Sequence, residues 1–168
     1  MNWKTRFGLL MRIIVISDTH GHFQALWDIL ERHKNDAGLI VFLGDGLREF
    51  EDVQALYPGL NYCCVAGNCD YASIEKRTDL LIVQDKRILI THGDGFGVKC
   101  STDRLLKAAR ENAAEIVLFG HTHCGMTRYE DGVHLMNPGS PSCPRNSKAS
   151  YGILDIMPNG VFTNLVEI

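Results

Sequence analysis

The stretch between Met11 and Ala66 constrains the fold most tightly. Three continuous apolar runs, Met11–Ser17, Gly38–Leu43 and Tyr62–Ala66, alternate with two segments of helical spacing. A run without polar alternation is the habit of a strand covered on both faces. In the first intervening segment, His22 to His33, the residues Phe23, Leu26, Trp27 and Leu30 recur at i, i+3, i+4 and i+7, which marks one face of an amphipathic helix. The second, Leu47–Leu56, reads as a shorter helix ended by Pro58. An order of β-α-β-α-β calls for parallel strands joined by crossover helices.

The second half of the chain changes character. Thr78–Gln84 and Lys86–His92 read as two strands joined by a tight turn at Asp85. Ser101–Asn112 is a helix capped by Ser101 or Thr102, with Leu105, Leu106 and Ala109 facing inward, and Glu115–Phe119 is another strand. Two further hairpins follow, one turning at Asp131-Gly132 and one at Pro158-Asn159-Gly160. The expectation is an α/β fold with two mixed β-sheets face to face, flanked by helices.

A chain of 168 residues, 45% of them hydrophobic, can bury one real core but not two comfortable ones. A net charge of -3 gives no clear nucleic-acid surface. The apolar runs fall far short of the ~20 residues of a membrane span. Lys4 and Arg6 precede apolar residues, but Arg12 interrupts the run and no small-residue cleavage site follows. Residues 1–10 are therefore read as an N-terminal arm before a single domain spanning 11–168, and the protein as cytoplasmic. The six cysteines show no C-x-x-C pattern and are expected as free thiols, with Cys63 and Cys64 pointing to opposite faces of their strand. Trp3, Leu9 and Leu10 are apolar positions that could serve a homo-oligomer.

The informative polar residues share one position in the pattern. Asp18 and His20, Asp45, Asn68, His92, and His121 with His123 each follow a separate strand at its carboxyl end. Ligands of open α/β sheets collect at such ends. Gly44, Gly67, Gly93 and Gly120 beside them let the backbone turn sharply. Two carboxylates, four imidazoles and one amide form a mixed N/O set that suits Mn²⁺, Fe²⁺, Zn²⁺, Co²⁺ or Ni²⁺. Seven donors exceed what one ion needs, and a two-metal centre with a shared carboxylate uses them all. Two divalent ions outweigh two aspartates, leaving positive charge for hydroxide and a phosphoryl oxygen, the setting for phosphoester hydrolysis.

The ordered set Asp18-x-His20, Gly44-Asp45, Gly67-Asn68, His92 and Gly120-His121-x-His123 resembles the motifs of the calcineurin-like metallophosphoesterases. The short spacings and Asn137-Pro138-Gly139-Ser140 resemble their small single-domain phosphodiesterase branch in bacteria and archaea. The resemblance implies a four-layer α-β-β-α sandwich and a dinuclear site loaded with two divalent ions, manganese first, with nickel, iron, zinc, cobalt or magnesium as alternatives. It further implies that Asp18, His20 and His123 hold one ion, that Asn68, His92 and His121 hold the second, and that Asp45 bridges. A bridging hydroxide would then attack the phosphorus of a small phosphodiester.

Two positions depart from the superfamily pattern. Cys69 stands where most members carry a histidine that meets phosphate or the leaving group, and Asp94 stands where relatives often carry another. Both changes imply modest turnover or a preference for singly charged diesters. Asp70 is a candidate general acid, a partner orienting a ligand histidine, or a turn residue. Ser140 and Arg145, in the proline-rich loop, are candidates for contact with phosphate. His33 is expected to be solvated, His22 to lie just past the site and His134 to be packed in a strand. The alternatives are a phosphomonoesterase or nucleotidase, and a non-catalytic scaffold of the same fold, as in one retromer subunit.

Overall fold

The computed structural model describes residues 10–168 together with the backbone of Asn2–Trp3. Eleven strands and three helices are present among the described residues. The first half follows its hydrophobic pattern. Strand β2 (Met11–Ile16), helix α1 (Phe23–His33), strand β3 (Leu39–Phe42), helix α2 (Leu47–Leu56) and strand β4 (Tyr62–Cys64) alternate along the chain. Pairing is parallel, with Ile13 beside Leu39 and Val41 beside Cys63. Ile13, Ile14, Val15 and Ile16 are all fully buried, which explains why this strand carries no polar alternation.

The C-terminal hairpin completes this sheet. Strands β10 (Ser150–Met157) and β11 (Gly160–Glu167) add antiparallel partners to give the order β11-β10-β2-β3-β4. A second, mixed sheet holds β5 (Thr78–Val83), β6 (Lys86–Thr91), β7 (Ile116–Phe119), β8 (Gly125–Glu130) and β9 (Val133–Pro138). Its order is β1-β5-β6-β7-β9-β8, where β1 is Asn2–Trp3, paired in parallel with β5. Helix α3 (Asp103–Glu111) follows a short 3-10 turn at Asp94–Phe96.

Three apolar clusters define four layers. Val15, Val41, Ile90, Leu118 and Leu154 pack between the two sheets. Leu26, Leu30, Phe42, Phe50 and Val53 join α1 and α2 to the outer face of the first sheet. Leu105, Leu106, Val117 and Leu135 join α3 to the outer face of the second. The α-β-β-α sandwich is thus present. Cys63 packs against the inter-sheet cluster and Cys64 against the helical one, on opposite faces of β4.

Several local expectations shift. Helix α3 has Thr102 at its N-cap without a side-chain capping bond, its hydroxyl accepting instead from Arg128, while Ser101 Oγ accepts the Asp103 N–H at 3.0 Å. His33 is not solvated: it is buried, its Nε2 2.8 Å from the Tyr151 hydroxyl and its Nδ1 3.0 Å from Asp36. A strand distant in sequence covers a helix end that periodicity alone leaves open. His134 lies on β9 with its ring against Tyr129. Leu10 is exposed, whereas the side chains of Trp3 and Leu9 lie outside the described residues. No helix among the described residues is long and apolar enough to cross a membrane.

Candidate metal centre

Seven predicted donors sit on loops at the carboxyl ends of β2, β3, β4, β6 and β7, at one end of both sheets. Five of them have left-handed backbones: Asp18 (φ 59°), His20 (46°), Asp45 (57°), His121 (68°) and His123 (58°). Such conformations cost about 1–3 kcal/mol each in a non-glycine residue and persist only where surrounding contacts enforce them. Here the loops are laced together: the Asp18 N–H donates to Gly44 O at 3.0 Å and the His20 N–H to Asp45 O at 2.9 Å.

Two glycines are required by close approach. A methyl group on Gly67 would lie 2.1 Å from Asp45 Oδ1, and one on Gly120 would lie 2.0 Å from Ser17 Oγ and 2.7 Å from Asp18 Oδ2. The carboxylates occupy the space that side chains would otherwise take.

The donor atoms converge. His123 Nε2 lies 3.2 Å from Asp18 Oδ1 and 3.1 Å from His20 Nε2. His92 Nε2 lies 3.4 Å from Asp45 Oδ2 and 3.1 Å from His121 Nδ1. Two groups of ligand-type atoms result, Asp18–His20–His123 and Asp45–His92–His121, and Asp45 Oδ2 also lies 3.8 Å from His20 Nε2. A third group joins Cys69 to His20 and Asp45.

Backbone contacts fix which atom of each side chain faces inward. A carbonyl only accepts, so the hydrogen on His92 Nδ1 goes to Leu43 O at 2.8 Å, and that on His123 Nδ1 to Cys143 O at 2.6 Å. In the neutral rings Nε2 is then the free lone pair, as a metal ligand needs. Asp18 Oδ2 accepts from Ser17 Oγ at 2.6 Å and from the His121 N–H at 2.9 Å, while Oδ1 is buried without a hydrogen-bond partner among the described residues. Asn68 Oδ1 is likewise buried and without a partner. A buried acceptor left bare costs roughly 1–3 kcal/mol, more when charged. A cation among these atoms relieves both costs, so the residues present fit divalent metal.

The electrostatics agree. Burial alone would push the Asp45 carboxyl up, but the His92 imidazole and the Cys69 amide hold it well below the usual carboxylate range. That amide donates to Asp45 Oδ1 at 2.7 Å. The Cys69 thiol, exposed at its outer face, is pushed up to about 11 by partial burial and by the adjacent Asp45 carboxylate, so it stays neutral near pH 7.

Other candidates take different places. Asp70 accepts four backbone N–H groups: Asp45 (2.7 Å), Gly67 (2.8 Å), Gly46 and Leu47 (both 3.0 Å). Both oxygens are thus engaged in tying the Asn68 loop to the start of α2, an arrangement that corrects the general-acid expectation in favour of positioning. Ser140 is fully buried, its hydroxyl donating to Asp18 O at 2.7 Å and accepting the Cys143 N–H at 2.8 Å. It braces the loop that carries the Cys143 carbonyl, and the expected phosphate contact is not available to it. Arg145 is exposed, its N–H donating to His123 O at 3.0 Å. Asp94 pairs with Arg77 at 3.2 Å, which offsets its charge beside the centre.

Some supporting residues escaped the sequence reading. Glu49 is buried and its Oε1 accepts from Thr19 Oγ1 and the Gly21 N–H, both at 2.6 Å, locking the loop that carries His20. A signal existed: Glu49 stands four residues before Val53 on the inner face of α2. Asn137 donates to Gly120 O at 2.8 Å and to Thr122 Oγ1 at 3.0 Å, supporting the turn with His121 and His123.

The sandwich thus carries its metal-fitting donors together at the strand ends. The chain belongs to the calcineurin-like phosphoesterase superfamily, whose domain model matches residues 11–159. It is 34% identical over 148 residues to the probable metallophosphoesterase YsnB of Bacillus subtilis, covering 87% of this chain and 85% of that one. It is 29% identical over 170 residues to the phosphodiesterase YfcE of Escherichia coli, covering 87% and 88%. In three dimensions it is similar to a Streptococcus pneumoniae protein described as a predicted phosphoesterase, with a TM-score of 0.78, 23% identity and coverage of 94% and 98%. The chain is a metallophosphoesterase.

Proposed function

We propose that this metallophosphoesterase is a phosphodiesterase working on small phosphodiesters over a dinuclear centre. The observation that carries the proposal is the division of the donors into two groups, Asp18–His20–His123 and Asp45–His92–His121. The first group would hold one ion, the second together with Asn68 would hold the other, and Asp45 would be shared. Bound divalent ions supply an acidified water as nucleophile and positive charge over the attacking and leaving oxygens. The ions are manganese in the first instance, since N/O donors accept several metals and availability decides among them.

The chain's own residues do the rest. Leu43 and Cys143 carbonyls orient two imidazoles. Asp45 is ionised throughout the working pH range. Asn68, as a neutral donor, leaves intact the positive charge that a third carboxylate would cancel. The neutral Cys69 thiol adds no cation at the phosphate, which favours a singly charged diester over a monoester dianion. The phosphodiesterase name of the YfcE relative points the same way.

The test is kcat/KM on matched aryl phosphodiester and monoester substrates with Mn²⁺. The proposal expects the diester to be preferred and activity to vanish on chelation. A preference for the monoester would instead make the protein a phosphomonoesterase or nucleotidase.

A further inference from the structure

Two cavities adjoin the centre. One, of about 300 Å³, is lined by His20, Asp45 and Cys69 among others. The next, of about 390 Å³, is lined by Glu51, Tyr71 and Ser73 among others. Arg48, Cys69 and Asp70 line both, so a single cleft runs from the donor atoms outward to Tyr71. Its outer part falls within the ~300–1,000 Å³ of small-molecule sites.

Two side chains in this cleft have no structural employment. Tyr71 is 89% exposed, and neither its ring nor its hydroxyl has a partner among the described residues. Arg48 is exposed and makes no ion pair or hydrogen bond among them. A large aromatic left bare beside a reactive centre gains by being covered, and planar rings stack on both tyrosine and guanidinium.

The backbone beneath the pair is fixed. Asp70, the neighbour of Tyr71, holds the N–H of Leu47, the neighbour of Arg48, at 3.0 Å. One carboxylate therefore presets the separation of the two attachment points, so that a ligand has only the two side chains to order. Glu51 sets a negative charge against that of Arg48 in the outer cavity, so the lining carries no net positive charge to draw a second phosphate and a neutral planar group fits it.

Resting on the phosphodiesterase reading above, we infer that Arg48 and Tyr71 form a subsite for an aromatic ester group of the substrate, of nucleoside or aryl type. Stacking of this kind changes affinity by roughly 5- to 140-fold.

Three diesters test it on the Mn²⁺-loaded protein: a nucleoside methyl phosphodiester, phenyl methyl phosphate and the wholly aliphatic methyl trifluoroethyl phosphate. Tyr71→Ala should raise KM for the aromatic esters by about five-fold or more and leave the aliphatic one nearly unchanged. Tyr71→Phe should restore wild-type behaviour, and Arg48→Ala should act in the same direction as Tyr71→Ala. By calorimetry, Tyr71→Ala should weaken nucleoside monophosphate binding by a similar factor. A loss on the nucleoside ester alone narrows the ligand to nucleosides, and a loss on both keeps any aromatic ester. Equal effects on all three esters, or none, overturn the subsite while leaving the phosphodiesterase intact. A wild-type protein that cleaves none of the three overturns the phosphodiesterase reading itself, and the subsite with it.

Discussion

The Asp70 carboxylate accepts the backbone N–H of Asp45 at 2.7 Å, so one acidic residue holds the main chain of another whose side chain faces the candidate ions. Asp70→Asn keeps the shape but replaces one acceptor oxygen by an N–H₂ group that confronts amide donors. Loss of charge-assisted bonds should cost about 2 kcal/mol of stability. Metal affinity should fall about 10- to 100-fold, as for other groups that orient ligands. Denaturant unfolding and metal titration check the two effects.

The bare oxygens of Asp18 and Asn68 predict a stability response to metal. An ion that binds only the folded chain adds about 2.7 kcal/mol at a concentration 100 times its Kd. Mn²⁺ should therefore raise Tm and a chelator should reverse the rise. Asp18→Ala should shrink the response to that of the Asp45–His92–His121 group alone, and an unchanged Mn²⁺-dependent shift in that variant would remove Asp18 from the ligand set.

The metal-free protein should show an opposite pair of pH trends. Burial pushes the His92 imidazole down, but Asp45 and Asp18 outweigh it and hold it above its usual value. The adjacent Asp18 carboxylate, 3.2 Å from its Nε2, raises His123 in the same direction. Raised folded values mean stability that is present below pH ~6.5 and lost as pH climbs through the folded values. Stability without metal should thus decline above neutrality, while metal affinity increases there because binding expels the imidazole protons. Thermal melts across pH with and without Mn²⁺ measure both slopes.

Gly67→Ala forces a methyl group to within 2.1 Å of Asp45 Oδ1. Asp45 must move, and it is the shared donor of the proposed centre. Activity should fall by at least about 100-fold, the scale expected for a catalytic group misplaced by 1 Å. Circular dichroism should stay that of the wild type, since the sheets lie behind the loop.

Cys69→His introduces a group that can carry positive charge where the thiol is neutral. Turnover of phosphomonoesters should rise relative to diesters, because the dianion gains a partner. Unchanged or lower turnover on both substrates would show that this position contributes nothing to phosphate or leaving-group chemistry.

Much of the sandwich was legible because burial on both faces writes itself as an unbroken run, as in Ile13–Ile16, and because Pro58 marks where α2 must stop. The donors stood out for a related reason: each follows a buried strand directly, so chain order already places them at one edge. The residues that hold the donors were harder to see. Glu49 reaches Thr19 across 30 positions and Ser140 reaches Asp18 across 122, contacts that no local pattern encodes. His33 was misjudged in the same way, since Tyr151 covers it from 118 residues away.

The donors come from both sheets, Asp18, His20, Asp45 and Asn68 from one and His92, His121 and His123 from the other. The apolar layer between them, including Ile90 and Leu154, therefore acts as a calliper. Its thickness sets how far apart the two sheets carry their donor loops. The spacing of the donor loops is in this sense encoded partly in hydrocarbon, at positions that lie away from the donors themselves.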